Sequence, residues 1–127
     1  MLALMKTATV ILVNIARVLG LILIGLGITF WSGHSFELIP VHMRIGEVLV
    51  GLLWILAGIS VRAGVKPALA LGAMFYGAIV VAFAMRMGTF LPGGSHEVIR
   101  VTHLLLGLGA LGFAESLAAR IKRGLAK

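Results

Sequence analysis

Two histidines stand at matched positions in apolar stretches of the sequence, and each is followed one helical turn later by a glycine. His42 precedes Gly46 near the middle of the chain, and His103 precedes Gly107 in its last third. An imidazole in an apolar membrane segment needs a partner, because lipid offers none. The chemistry open to such a pair is ligation of one metal centre from two sides, hydrogen bonding between helices, or proton transfer.

The composition places these histidines in a membrane protein. Of the 127 residues, 61% are hydrophobic and only 12% are charged, and the mean hydropathy is +1.14. These values lie far outside the range of soluble globular domains. The chain has no cysteine, which excludes disulfides, thiolate metal sites and covalent c-type haem attachment. The net charge of +7 does not indicate nucleic acid as a partner, because the basic residues flank the apolar runs.

Four apolar runs define the elements that must position the histidines. They cover about residues 7–31, 38–61, 67–90 and 97–119. Each run is long enough to cross a hydrocarbon layer of roughly 30 Å at about 1.5 Å per residue. The first run is interpreted as a helix, since it continues past the length of a signal peptide and lacks a small-residue cleavage site. The sequence therefore predicts an all-α membrane protein, a single domain of four transmembrane helices over residues 1–127.

The distribution of lysine and arginine predicts the orientation of the bundle. Basic residues are concentrated at the N-terminus, in the second loop and in the C-terminal tail, which the positive-inside rule assigns to the cytoplasm. Both termini are therefore predicted to be cytoplasmic, in a multi-pass protein of a bacterial-type inner membrane. The loops near His34 and His96 are predicted to face outward. The basic residues on the cytoplasmic side are Lys6, Arg62, Lys66, Arg120, Lys122, Arg123 and Lys127.

The two halves of the chain resemble each other. Segments 29–62 and 89–120 both read Thr-Phe, a glycine-containing turn, a histidine, and then His-x-x-x-Gly-x-x-x-x-Gly, and both end in arginine. This pattern predicts two tandem helical-hairpin repeats, over about residues 7–63 and 67–121. The halves would then be parallel and related by an axis along the membrane normal.

The repeat also predicts where the two histidines lie. Ser35 and Ser95 are candidate N-caps of the second and fourth helices, because a serine oxygen accepts from first-turn N–H groups. Counting from them places His42 and His103 about 10–12 Å along their helices. The symmetry then points the two imidazoles at each other across the bundle axis, and opposed imidazoles suit the axial positions of a haem iron.

The glycines fit the same interpretation, because a residue without a side chain lets a flat macrocycle approach the backbone. Ordinary small-residue helix packing is the alternative. With these features the chain resembles the membrane b-type cytochromes, both the cytochrome b561 group and the haem-carrying bundle of quinol-oxidising cytochrome b. The resemblance implies one haem b between helices 2 and 4, ligated by His42 and His103 beside Gly46 and Gly107. It implies electron transfer, with quinol or a partner protein as redox partner. Those families often carry two histidines per helix at two haem levels, and this chain does not.

Further cofactor-binding residues are predicted at the outward end. His34 and His96 are assigned to the rim as propionate contacts, quinol-site groups or proton-transfer groups, with plain interfacial histidines as the alternative. Arg44, Arg86 and Arg100 lie at the same level and carry the positive charge that two haem propionates require. Snorkelling to lipid headgroups is the alternative for them. By helical angle, Arg100 fits a shared site with the fourth-helix histidine better than Arg44 fits with the second-helix histidine.

The other intramembrane charges have structural explanations. Glu47 follows Arg44 by three residues, so an intrahelical ion pair is expected first and a proton-carrying role second. Asn14, Arg17 and Glu115 lie in the inner half of helices 1 and 4. A contact between Arg17 and Glu115 would lower the cost of both charges and join the two helices.

Two other classes of function stay open at this point. One is a haem-free structural or accessory subunit, in which the histidines and arginines are hydrogen-bond partners between helices. The other is a small proton-coupled transporter that uses Glu47 and the histidines. No nucleophile–base arrangement, phosphate loop or carboxylate pair indicates hydrolytic chemistry, so enzymatic activity is left undecided. The lipid bilayer is the predicted surrounding, and assembly into oligomers is compatible with the sequence.

Overall fold

The computed structural model describes residues 1–126, and every regular element in that part of the chain is helical. The four long helices are α1 (Leu2–Trp31), α2 (Ile39–Arg62), α3 (Pro67–Arg86) and α4 (His96–Gly124). Each helix, with the short 3₁₀ turns beside it, is long and apolar enough to cross a membrane. The prediction of an all-α bundle is confirmed, and its four long helices have the length and apolar composition that spanning a membrane requires.

The start of α2 differs from the prediction. Ser35 adopts a left-handed backbone with φ of 57° and leads into a 3₁₀ turn, Phe36–Leu38, so that α2 begins at Ile39. The side chain of Ser35 makes no capping hydrogen bond, and neither does that of Ser95, although Ser95 occupies the N-cap position of α4. His42 therefore lies about 4–5 Å into α2 itself, with the 3₁₀ turn supplying the rest of the expected depth.

The helices pack as an antiparallel bundle with α2 and α4 at its centre. α2 and α4 contact each other, and each also packs against both α1 and α3. Gly124, the last residue of α4, lies against the carbonyl of Ala63 at the end of α2. This contact places the end of α4 beside the α2–α3 turn, and the antiparallel order of the helices puts the start of α1 at the same end of the bundle. We call this the terminus end, and we call the other end, with the loops 32–38 and 87–95, the cavity end.

The buried core is concentrated at the terminus end. In α2 and α4 the fully buried side chains follow the histidines by at least two turns, and in α3 they lie in the first two-thirds of the helix. Ile99 is the exception near the cavity end, with 7% of its surface accessible. The largest fully enclosed side chains are Leu53, Leu56, Leu117, Ile121, Thr9 and Ser60.

Two helix ends are closed by glycine in a left-handed conformation. Gly33 after α1 has φ of 82°, and Gly64 after α2 has φ of 75°. In both turns the next residue donates back into the helix, from Val65 N–H to the Ser60 carbonyl at 2.9 Å in the second case. This conformation is accessible to glycine without a steric penalty, so both helices end sharply at these positions.

Two side-chain hydrogen bonds to backbone carbonyls join α3 to its neighbours. The Tyr76 hydroxyl donates to the Leu106 carbonyl of α4 at 2.9 Å. The Trp54 indole N–H of α2 donates to the Met74 carbonyl at 3.2 Å. Gly109 makes room for the first contact, because a Cβ at that position would overlap the tyrosine hydroxyl. These bonds fix α3 against both central helices.

Candidate functional site

The imidazoles of His42 and His103 meet inside the bundle near the cavity end. Their ring centroids lie 6.0 Å apart, with an angle of 51° between the ring planes. Both residues are partly buried. The two rings thus lie close together, as the sequence-based prediction expects. Their role as ligands is a separate question, taken up below.

Two phenylalanines flank the imidazole pair. Phe30 of α1 contacts His42 edge-on, with centroids 5.5 Å apart and an interplanar angle of 70°. Phe83 of α3 lies nearly parallel to His103, with centroids 6.5 Å apart and an interplanar angle of 10°. We call these four rings the aromatic row. Because each helix contributes one ring, the row crosses the whole bundle at one level. Neither phenylalanine was assigned to the histidine site from the sequence, where Phe30 was interpreted only as part of an aromatic belt at the helix ends.

One ring nitrogen of each histidine, Nδ1, has no hydrogen-bond partner in the described part of the chain. The Nδ1 atoms of His42 and His103 are both shielded from solvent and have no hydrogen-bond partner among residues 1–126. Buried polar atoms are nearly always partnered in folded proteins, because an unsatisfied one costs roughly 1–3 kcal/mol. Two such atoms on facing rings therefore call for a common physical explanation.

A cavity of about 500 Å³ surrounds the imidazole pair. It is lined mainly by apolar side chains from all four helices and extends from the loops of the cavity end to the level of Gly20 and Leu111. α1 contributes Gly20 and Gly27 to its wall, and α3 contributes Val80 and Ala84. The participation of α1 was not predicted, because its glycines lie outside the histidine motif. The volume is typical of ligand and cofactor sites, which measure about 300–1,000 Å³.

The two predicted space-making glycines open onto this cavity. Gly46 and Gly107 both line it, and a Cβ at either position would meet no neighbouring side chain or helix within 4 Å. In contrast, a Cβ at Gly20 would overlap the Leu111 side chain. The glycines after the histidines thus leave open space beside the helix backbone, and neither makes a close contact with another helix in the described part of the chain.

Three further polar residues line the cavity, two of them towards the loops and the third, Glu47, deeper along α2 than His42. His96 and Arg100 of α4 lie along its wall with Glu47 of α2. The Nδ1 of His96 is 3.1 Å from the Phe90 carbonyl. A carbonyl only accepts, so Nδ1 is the donor in this contact. The Arg100 guanidinium is 3.5 Å from Glu97, a long contact that leaves most of its donors available.

The other predicted rim residues lie outside the cavity wall. Arg44 donates to Glu47 at 2.9 Å, which confirms the intrahelical pair, and its side chain is 81% exposed. Arg86 forms no ion pair with another residue in the described part of the chain, and it does not line the cavity. His34 is exposed in the α1–α2 loop. Of the seven predicted cofactor-binding residues, the structure thus brings four to the cavity, namely Gly46, Gly107, His96 and Arg100.

The geometry of the imidazole pair fits a shared haem iron. Two imidazoles bonded to one metal from opposite sides, at about 2.0–2.1 Å each, have ring centroids roughly 6 Å apart. This matches the 6.0 Å between His42 and His103. The open space at Gly46 and Gly107 lies beside the pair, where a macrocycle requires it. The spacing of the two imidazoles and the open space beside them therefore fit a tetrapyrrole that His42 and His103 would hold.

A metal ion held by side chains alone fits less well. Among residues 1–126 no three histidine, aspartate or glutamate side chains come close enough to hold one ion, and the chain has no cysteine. Protein-only sites for divalent metals generally use three or four such ligands. A group that brings its own equatorial ligands needs only the two axial ones found here.

Comparison of the chain with models of protein families, with curated proteins and with solved structures finds no match. The functional interpretation therefore rests on the residues of the site.

Proposed function

We propose that this protein is a small membrane b-type cytochrome that binds one haem b between α2 and α4 and transfers electrons. The observation that carries the proposal is the pair His42 and His103, whose imidazoles face each other 6.0 Å apart while their Nδ1 atoms lack partners. A haem iron held between the two rings would give one nitrogen of each imidazole a bonding partner, and it would account for their meeting within an apolar cavity.

Each residue of the site has a defined task in this proposal. His42 and His103 hold the iron, and Gly46 and Gly107 leave the backbone accessible to the ring. Arg100 lies where it can pair with a propionate at the cavity end. The bound haem supplies one-electron redox chemistry. The apolar wall limits access of water, which is one of the factors that set a haem potential.

The membrane placement belongs to the same proposal. Both termini are on the cytoplasmic side of a bacterial-type inner membrane, so that the cavity end faces outward. The two hairpins are tandem repeats, which explains the equal level of the two histidines. Quinol or a partner protein exchanges electrons with the site from the outward side, where His96 and Arg100 line the cavity.

A haem-free accessory subunit is the second candidate. The hydrogen-bonded contact between Arg17 and Glu115 favours it, since this pair joins α1 to α4 without any cofactor. The histidines do not support it, because their Nδ1 atoms make no hydrogen bond to a neighbouring helix. The cytochrome requires the two imidazoles to bind a haem iron, whereas the accessory subunit requires them to form hydrogen bonds with neighbouring helices.

Visible spectroscopy of the purified protein tests the proposal. Protein produced with sufficient haem, or reconstituted with haem in detergent, is expected to be red and to bind about one haem per chain. Dithionite should sharpen its bands into the low-spin pattern of two imidazole ligands. A protein that stays colourless after reconstitution, while folded by circular dichroism, contradicts the cytochrome and leaves the accessory subunit.

A further inference from the structure

A cluster of three polar side chains lies on the outer surface of α1 and α4, away from the imidazole pair. The Arg17 guanidinium donates to the two carboxylate oxygens of Glu115 at 2.5 and 2.9 Å, and to the Asn14 side-chain oxygen at 2.9 Å. The predicted contact between Arg17 and Glu115 is thus confirmed. The two side chains are still 53% and 45% exposed. The cluster joins the two helices, but they do not enclose it.

The cluster is exposed on the bundle surface, and its position along α1 and α4 predicts that it lies within the hydrocarbon layer. Arg17 lies about 16 Å along α1 from Lys6, and Glu115 lies about 7–8 Å along α4 from Arg120. The bonds to Glu115 and Asn14 hold the guanidinium beside α4. Charged groups at this depth nearly always face protein or water. Something other than acyl chains is therefore expected to cover the cluster.

The chemistry of the cluster is self-complementary. Of the five N–H donors of Arg17, three are used within the cluster, and the remaining donors and the free lone pairs of Glu115 point to no partner among residues 1–126. The cluster is neutral overall and offers both donors and acceptors. A two-fold axis through it places the donors of one copy against the acceptors of the other. A partner that carries only positive or only negative charge would match either the acceptors or the donors of the cluster, but not both.

The surface around the cluster is also suited to contact with α1 and α4 of a second copy of the chain. Leu21 is 71% exposed and Leu108 is 44% exposed. Gly25 and Gly112 are exposed, and no neighbouring group lies within 4 Å of a Cβ placed on either. Small residues of this kind allow close approach of membrane helices. We call this surface the α1–α4 face, formed by Asn14, Arg17, Leu21, Gly25, Leu108, Gly112 and Glu115.

A shallow groove runs along the α1–α4 face between the two helices. It measures about 350 Å³ and is lined by Arg17, Leu21 and Glu115 together with Ile24 and Leu111. On α1, the residues at 14, 17, 21 and 25 share one side of the helix, and on α4 those at 108, 112 and 115 do so. The polar cluster therefore sits at one end of a continuous apolar stripe, which is the arrangement of a helix–helix interface with a polar contact that fixes the register.

We propose that the chain forms a two-fold symmetric dimer in the membrane through the α1–α4 face. The polar clusters of the two copies contact each other and shield their charges from lipid. The polar cluster itself lies outside the cavity proposed for haem, although Leu108 of the face and Leu111 of the groove also line that cavity.

Counting subunits in liposomes tests the dimer. Fluorescently labelled wild-type protein at low protein-to-lipid ratio is expected to bleach in two steps. The double variant Arg17→Leu with Glu115→Leu should shift the distribution towards single steps and raise the dimer dissociation constant by about tenfold, the size expected for two symmetric polar contacts between helices. Removing both charges together leaves neither unpaired, so insertion is preserved. The matched control is the pair Arg44→Leu with Glu47→Leu, which should stay dimeric.

A monomeric wild-type protein overturns the proposal, and so does a leucine double variant that dimerises as strongly as the wild type. Anionic lipid that co-purifies with a monomer through Arg17 would assign the face to lipid and also overturn the dimer. Haem content is measured on the same samples. A dimer that binds no haem would support the dimer proposal and contradict the cytochrome proposal. A monomer that binds haem would contradict the dimer proposal and support the cytochrome proposal.

Cysteine cross-linking locates the interface. The chain has no native cysteine, so single substitutions report on one position each. Leu21→Cys on the α1–α4 face is compared with Phe75→Cys on α3, because both side chains are 71% exposed. Oxidation, or a short bifunctional thiol reagent, should give covalent dimers of the first variant and leave the second largely monomeric. Equal cross-linking of the two variants contradicts the assigned face.

Discussion

The hydroxyl of Tyr76 donates a hydrogen bond to the carbonyl of Leu106, the residue directly before Gly107. The bond connects α3 to the part of α4 that borders the cavity. It depends on Gly109, where any side chain would occupy the position of the hydroxyl. The close approach of these two helices thus sets the level of α4 at which the imidazole pair is held.

Substitution of Gly109 should destabilise the bundle. Gly109→Ala forces Tyr76 away from α4, and overpacking of this kind costs about 1–3 kcal/mol. Tyr76→Phe removes only the hydrogen bond and should cost about 0.5–1.5 kcal/mol. Thermal or denaturant unfolding in detergent measures both. Gly58→Ala is the control, since a Cβ there meets no neighbouring group within 4 Å. Equal stability of the Gly58→Ala and Gly109→Ala variants would show that the tyrosine contact is not formed.

The proposed axial ligands should be individually essential. His42→Ala and His103→Ala are each expected to abolish the low-spin spectrum, giving five-coordinate haem or protein without haem, because one imidazole cannot complete the axial pair. His34→Ala and His96→Ala should retain haem and at most shift its potential through contacts at the rim. Reduced-minus-oxidised spectra and haem content per chain are the measurements. Loss of haem from His96→Ala together with retention in His42→Ala would keep the cytochrome but assign different ligands.

Filling the space beside the imidazoles should exclude the cofactor without unfolding the protein. Gly46→Leu and Gly107→Leu introduce side chains where the structure has open space, so the bundle tolerates them while a macrocycle does not. Haem content should fall strongly, and the thermal stability of haem-free protein should change little. Gly58→Leu is the control on α2, because Gly58 is exposed and does not line the cavity. If all three variants bind haem alike, the glycines have another role.

The proposed orientation predicts the location of three reporters. Fusions of a compartment-sensitive reporter after Lys127 and after Lys66 should both report the cytoplasm, and an insertion near Gly93 should report the opposite side. These positions sample both ends of the bundle. An external reporter after Lys127 would reverse the orientation and turn the cavity towards the cytoplasm.

Features that depend on repeated motifs or on charged residues could be predicted from the sequence. The four helices could be predicted from the lengths of the apolar runs, since the thickness of the hydrocarbon layer sets the length that a membrane-spanning helix and its apolar run must have. The contact between Arg17 and Glu115 follows from the cost of placing either charge alone in lipid. The meeting of His42 and His103 follows from their matched positions in two similar hairpins. In each case, one strong physical constraint acts on a few residues that can be identified by type.

Features that depend on packing were not accessible in this way. Nothing in the sequence marks Phe30 and Phe83 as neighbours of the imidazoles, because apolar side chains in a membrane helix face either lipid or protein with little difference in hydrophobicity. The left-handed backbone at Ser35, which delays the start of α2, depends on the path of one loop. Sequence patterns resolve such backbone choices poorly when no glycine marks the position.

The concentration of the buried core at the terminus end divides the bundle into two regions of unequal resistance to local opening. Amide hydrogens around Leu53 and Leu117 lie in a tightly packed layer and should exchange slowly, at a rate near that set by global unfolding. Amide hydrogens around Gly46 and Gly107 border the cavity and should exchange faster. A ligand that fills the cavity should slow exchange there by mass action and change the terminus end much less. Protection measured along the chain would thus show the position of a bound ligand even when the ligand itself gives no signal.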